Sequence, residues 1–280
     1  MSGNAQLLSF ETSDQETLHG LLFRAEGSPY TDVALLMIHG VAMNFYSGPL
    51  PIFAEALAAR GYHACSVNTR GHDWVSRGGD LTAFRGATYE NFEACLLDVD
   101  AAIDRLRQEG YARFVLVGHS LGSVKSLYYQ GTRQRQDVVG VISCSAPRQF
   151  YAARVMEDPE FEERMADAER QVAGGRGEEL LWAPASGATG LFTHRTYVSK
   201  YGRHETNDVR PHASRLGCPL LVTAGEIESA YFREFAQELN EAAGPDHSTS
   251  VVVSGANHFY AGCEAFMIDT LDGWLKDQLG

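Results

Sequence analysis

Cysteine is scarce and scattered in this 280-residue chain: five residues, at 65, 95, 144, 218 and 263, with no Cys-x-x-Cys pair. An odd count at irregular spacing argues against a disulfide framework and suits small buried thiols in a reducing cytoplasm. Basic residues are also short, 23 Lys and Arg against 36 Asp and Glu, for a formal net charge of −13. A surface that acidic repels phosphate backbones and anionic headgroups, so neither nucleic acid nor a membrane is an expected partner. Long apolar runs are missing, and none approaches the ~18 residues a membrane span needs. The start, MSGNAQLLSFETSDQ, has no basic stretch leading into an apolar one, so no signal peptide is expected. Metal spacings such as His-x-x-x-His and His-Glu-x-x-His are absent, as are nicotinamide and flavin fingerprints; no metal and no cofactor is expected. The glycine-rich AGGRGEE (173–179) lacks the Gly-Lys-Ser/Thr ending of a phosphate loop and reads as a turn.

What is present is 44% hydrophobic residues arranged in strand-sized runs. QLLSFET and TLHGLLFRA read as an antiparallel pair joined at Ser13 and Asp14. VALLMIHG (33–40), HACSVNTRG (63–71), RFVLVGHS (113–120), VVGVISCSAP (138–147), PLLVTAGE (219–226) and STSVVVSGANH (248–258) follow, mostly as continuous apolar runs suited to strands covered on both faces. Between them lie helical spacings: Phe92, Cys95, Leu96, Val99, Ala102, Ile103 and Leu106, then Phe232, Phe235, Ala236 and Leu239, then Met267, Leu271, Trp274 and Leu275. The alternation predicts an α/β fold, a mostly parallel sheet flanked by helices. One interval, 148–208, is too long for a single crossover and reads as an inserted cap within one domain spanning 1–280. Inside it, DPEFEERMADAERQVAGG reads as helix and LLWAPASGATGLF (180–192) as loop.

One junction stands out. The apolar run Val115-Leu116-Val117 enters Gly118-His119-Ser120-Leu121-Gly122, and SVKSLYYQ continues as a helix. A strand that turns at once into a helix must kink, and the residues two before and two after the kink must be small. Such a turn lifts the Ser120 hydroxyl out of the sheet and leaves the Leu121 N–H at a helix start, aimed where an anion would form.

On this motif and the strand–helix order, the chain resembles the α/β-hydrolase superfamily over nearly its whole length apart from the cap. The resemblance implies an eight-stranded sheet and a catalytic triad in the order serine, acid, histidine. His258, in SGANHFYAG past the last strand, is then the base for Ser120. The acid belongs three residues after the glycine ending strand 7, which lands on Glu228 where the superfamily usually has aspartate; Glu226 is the alternative. After strand 6, CSAPRQF offers no carboxylate. The His-Gly of MIHGVAMNFYSG corresponds to the superfamily's oxyanion loop, so the Val41 N–H joins that of Leu121 as oxyanion donor, and His39 braces the loop. His119 is expected to point away and pack beneath the turn.

The implied activity is a serine hydrolase of a small or medium carboxylic ester or lactone. Carbon–carbon or amide hydrolysis and acyl transfer are alternatives of the same fold, and a small-ligand receptor retaining the triad is one from another class. The expected partner is a small-molecule substrate. Asn44, Phe45 and Tyr46 at the mouth, and Trp182 in the cap, are candidate substrate contacts. Phe150, Tyr151, Phe192 and Tyr197 serve either an acyl pocket or the cap's own core.

Overall fold

A computed structural model describes residues 5–78, 83–185 and 188–280. The eight strands of the main sheet are β1 (Ala5–Glu11), β2 (Thr17–Phe23), β3 (Val33–Ile38), β4 (His63–Val67), β5 (Arg113–His119), β6 (Val138–Cys144), β7 (Leu220–Gly225) and β8 (Ser248–Val253). Their spatial order is β1-β2-β4-β3-β5-β6-β7-β8. β1 with β2 and β2 with β4 run antiparallel, and every other pairing is parallel.

The continuous apolar runs follow from this topology. Every residue of β3 is buried, because helices cover both faces of the sheet. Leu36, Ile38, Phe114 and Leu116 face α2 (Cys95–Gln108), α3 (Leu121–Arg133) and α8 (Ala230–Ala243). Leu35, Met37, Val115 and Val117 face α1 (Pro49–Ala58) and α9 (Glu264–Leu279). Each fully buried side chain of this size contributes roughly 1.5–3 kcal/mol relative to exposure. That drive fixes the register, since a slip of one residue would exchange the two faces.

Between β6 and β7 the chain leaves the sheet. It forms α4 (Tyr151–Glu157), α5 (Phe161–Ala173), an antiparallel strand pair Leu180–Ala185 with Ala188–Thr193, α6 (His194–Tyr201) and the short α7 (Arg210–Ala213). The segment read as the loop 180–192 is therefore mostly strand, with residues 186–187 outside the described residues. Pro184 and Gly190 broke the strand pattern in sequence. Leu181, Ala183 and Phe192 nevertheless share one face, packed with Phe161, Met165, Tyr197 and Tyr201 into a separate apolar cluster. Phe192 and Tyr197 thus pack the inserted segment itself, while Phe150 belongs to the main core beside Phe235. The glycines of AGGRGEE close α5, with Gly175 at φ 79°. Thr193 N–H donates to Thr88 O at 2.9 Å and Phe92 N–H to Ser199 Oγ at 3.0 Å, tying the insertion to the chain ahead of α2. No described helix is long and apolar enough to cross a membrane.

Candidate active site

Ser120 stands between β5 and α3 with φ 56° and ψ −125°, a conformation that costs a non-glycine residue on the order of 1–3 kcal/mol. Close packing holds it there. A Cβ on Gly122 would lie 1.9 Å from Ile38 O, and one on Gly118 would lie 2.3 Å from Gly122 O. Glycine at both positions lets β3, β5 and α3 converge. Ser120 N–H donates to Cys144 O at 2.9 Å, and Ser123 Oγ lies 2.7 Å from Gly118 O and 2.9 Å from Cys144 O. The turn is bolted to β6 as well as to its own helix.

The histidine comes from the loop after β8. His258 Nδ1 lies 2.6 Å from Glu228 Oε1, with the histidine side chain a quarter exposed and the glutamate sealed. The imidazole sits between the rings of His119 and Phe232, at centroid distances of 4.9 and 4.8 Å. His119 does not merely fill space beneath the turn: its Nε2–H donates to His258 O at 2.7 Å. One residue before Ser120, that bond ties the serine turn to the histidine loop. Burial, reinforced by neighbouring His258, pushes His119 down to about 3, so the ring is neutral with its proton on Nε2.

Glu228 follows β7 and is held at both oxygens. Oε1 faces His258, while Oε2 accepts from Gly225 N–H at 2.5 Å and from Ser145 Oγ at 2.8 Å. Tyr260 OH lies 2.8 Å from both Ser145 Oγ and Thr223 Oγ1, completing a buried hydroxyl cluster behind the carboxylate. Glu226 turns elsewhere. Its Oε2 accepts from Ser254 Oγ and Gly255 N–H at 2.8 and 2.7 Å, and the Gly255 bond holds its pKa below the ordinary carboxylate value.

The loop after β3 faces Ser120: a Cβ on Gly40 would lie 2.9 Å from Ser120 Cβ. Among the described residues, the N–H groups of Val41 and Leu121 donate to no protein group. Asn44 is buried and engaged within the loop, its Nδ2 donating to Asp73 at 2.8 Å and its Oδ1 accepting from Tyr46 N–H at 3.2 Å. Phe45 N–H donates to Asn68 Oδ1, and Tyr46 is exposed. Trp182 is 68% exposed, on the face of its strand opposite Leu181 and Ala183.

Ser145, Thr223, Tyr260 and the bond from His119 carry no signal in sequence. Serine, threonine and tyrosine have no fixed spacing when a strand and two separate loops bring them together. An imidazole oriented by a carboxylate can act as a base, and the Val41 and Leu121 N–H groups are unspent among the described residues.

A family model described as the alpha/beta hydrolase fold matches residues 33–221. No curated protein matches the chain in sequence. Among solved structures, Est1E from Butyrivibrio proteoclasticus is similar at 16% identity, covering 99% of each chain with a TM-score of 0.68. The esterase domain of a Rhodothermus marinus protein matches at 19% identity over 99% of this chain and 100% of that one, TM-score 0.64. The Pyrococcus furiosus esterase Pf2001 matches at 15% identity over 99% and 94%, TM-score 0.64.

Proposed function

Since the chain belongs to the alpha/beta hydrolase fold family, we propose that it is a serine hydrolase of small or medium carboxylic esters or lactones. His258 Nε2 takes the Ser120 hydroxyl proton as Oγ attacks the ester carbonyl carbon. The carbonyl π pair moves onto oxygen, and the Val41 and Leu121 N–H groups receive that oxyanion. When the pair returns, the carbon–oxygen bond to the leaving alcohol breaks and the His258 imidazolium protonates the alcohol. Water, deprotonated by His258, then repeats the sequence and frees the acid from Ser120. Glu228 orients the imidazole with its proton on Nδ1 and stabilises the imidazolium without being protonated. The single observation carrying this reading is the 2.6 Å contact of His258 Nδ1 with a sealed Glu228, beside a strained serine turn.

The insertion between β6 and β7 acts as the cap, with Tyr46 and Trp182 as candidate contacts for the substrate. Because Phe192 and Tyr197 are committed to the insertion's own packing, they leave the acyl pocket to other side chains. The cysteines are unpaired, which supports a reducing, cytoplasmic setting.

A fluorophosphonate probe tests the reading: it should label the full chain and spare Ser120→Ala, whose turnover should fall by ~10⁶. A panel of p-nitrophenyl esters, lactones and amides then separates the reaction classes. Hydroxycinnamate esters belong in it because Est1E has been solved with ferulic acid bound. An unlabelled protein that hydrolyses nothing in the panel would sink the reading, and labelling without multiple turnovers would point to a receptor.

A further inference from the structure

Three charges lie buried where the proposed chemistry uses none. Lys125 on α3, Lys200 on α6 and Glu90 ahead of α2 are each at most 2% exposed. Lys125 Nζ pairs with Glu90 Oε1, and Lys200 Nζ lies 2.8 Å from Glu90 Oε2. Lys200 also donates to Ala87 O at 3.3 Å and holds its ammonium 5.6 Å from the centre of the Phe192 ring. Gly71 makes room for the cluster, since a Cβ there would lie 2.3 Å from Glu90 Oε1. Taking ions out of water costs several kcal/mol each, and apolar side chains of the same volume would often hold a fold as well. What the ions add is direction.

That direction leads to the loop after β3. Lys125 Nζ donates to Thr69 Oγ1 at 2.9 Å, leaving the Thr69 hydroxyl hydrogen free to point at His39 Nε2, 3.3 Å away. Thr69 N–H donates to the same nitrogen at 3.0 Å. With Nε2 accepting, the imidazole proton sits on Nδ1 and is donated to Gly40 O at 2.7 Å. Burial, helped by the Lys125 charge, pushes His39 down to about 3, so this neutral form persists at working pH. In a planar trans peptide the N–H points opposite the C=O. Pinning Gly40 O therefore aims the Val41 N–H the other way.

We propose that Lys200, Glu90 and Lys125 are positioning residues for the oxyanion hole, acting through Thr69 and His39 on the Gly40–Val41 peptide. Because Lys200 belongs to the insertion, the alignment of that peptide depends on how the insertion is seated against the sheet. The proposal rests on the serine-hydrolase reading of the site.

The experiment uses the full chain with p-nitrophenyl acetate and the variants Lys200→Met, Thr69→Val and Thr69→Ser. Lys200→Met and Thr69→Val should lower kcat by roughly 10- to 100-fold with KM within about twofold, less than the ~10²–10³ of losing a donor outright. Affinity for phenylboronic acid, whose tetrahedral adduct presents an oxyanion, should weaken by a similar factor. Thr69→Ser keeps the hydroxyl and should restore the rate. A purely structural role would lower melting temperature and the fraction of sites labelled by fluorophosphonate, with kcat per labelled site unchanged; that result overturns the proposal. If Lys200→Met does not fold, the Thr69 pair decides. Wild-type protein that takes up no probe on Ser120 overturns this proposal and the serine-hydrolase reading together. Labelled wild type with variants of undiminished kcat overturns this proposal alone.

Discussion

Ser145, at the end of β6, donates its hydroxyl hydrogen to Oε2 of Glu228, at the end of β7, across 2.8 Å. Ser145 holds φ 52° to do so, and both groups are buried. The serine thus stands on the strand where CSAPRQF offers no carboxylate, and steadies the one supplied by the next strand.

Removing that hydroxyl leaves Glu228 Oε2 with the Gly225 N–H and leaves Tyr260 without one of its two partners. A hydrogen bond to a charged group is worth about 1.5–3 kcal/mol. Ser145→Ala should therefore lose stability of about that size in urea titration and lower kcat several-fold, through a less firmly held carboxylate. Unchanged values of both would show that the serine is dispensable.

The two glutamates after β7 make opposite predictions. Glu228→Gln substitutes an amide for the acceptor of the Nδ1–H and favours the wrong tautomer, so kcat should fall by ~10⁴. Glu226→Gln alters an exposed turn contact to Ser254 and Gly255 and should stay within about twofold. Steady-state ester hydrolysis by the two variants settles the assignment, and the reverse pattern would move the acid to Glu226.

Acid sensitivity follows from the buried imidazoles. His39 and His119 are lowered from 6.5 to about 3 in the folded chain, chiefly by burial. Below pH 6.5 the unfolded chain binds protons at these positions that the folded chain refuses. Their contribution is fully present above pH 6.5 and is lost as pH falls toward 3, each with a slope approaching ~1.4 kcal/mol per unit. Glu90, where the lysine ammonium groups outweigh burial and lower it to about 2, adds a loss of the same sign as pH falls below 4.5. His119→Gln keeps a donor for His258 O and removes one titrating group. Urea unfolding between pH 7.5 and 5 should show a shallower pH slope for that variant, and an identical slope would contradict the buried neutral state.

The sheet was legible because its signal is local and repeated. Runs such as VALLMI and FVLV have too few polar residues to expose either face, whichever neighbours they acquire. The turn at Ser120 was legible because the steric demand falls on residues two away, so a five-residue window carries it. The Leu180–Thr193 strand pair was not, because Pro184 and Gly190 interrupt its alternation and its buried face is completed by Phe161 and Tyr197 from elsewhere in the chain. His119 is buried beneath the turn as its sequence position suggests, but its bond to His258 O was not legible, because that partner lies 139 positions away.

The sequence by itself determined the eight strands and the tight turn at Ser120, because apolar runs and glycine spacing act over a few residues, while the places of the acid and the histidine came from the resemblance to the superfamily. Only the tertiary structure decided which glutamate faces His258, that Ser145 and Tyr260 stand behind it, and that two lysines share one sealed carboxylate. Those are meetings of polar side chains from distant elements, and no spacing along the chain encodes a contact whose distance is set by the packing between them.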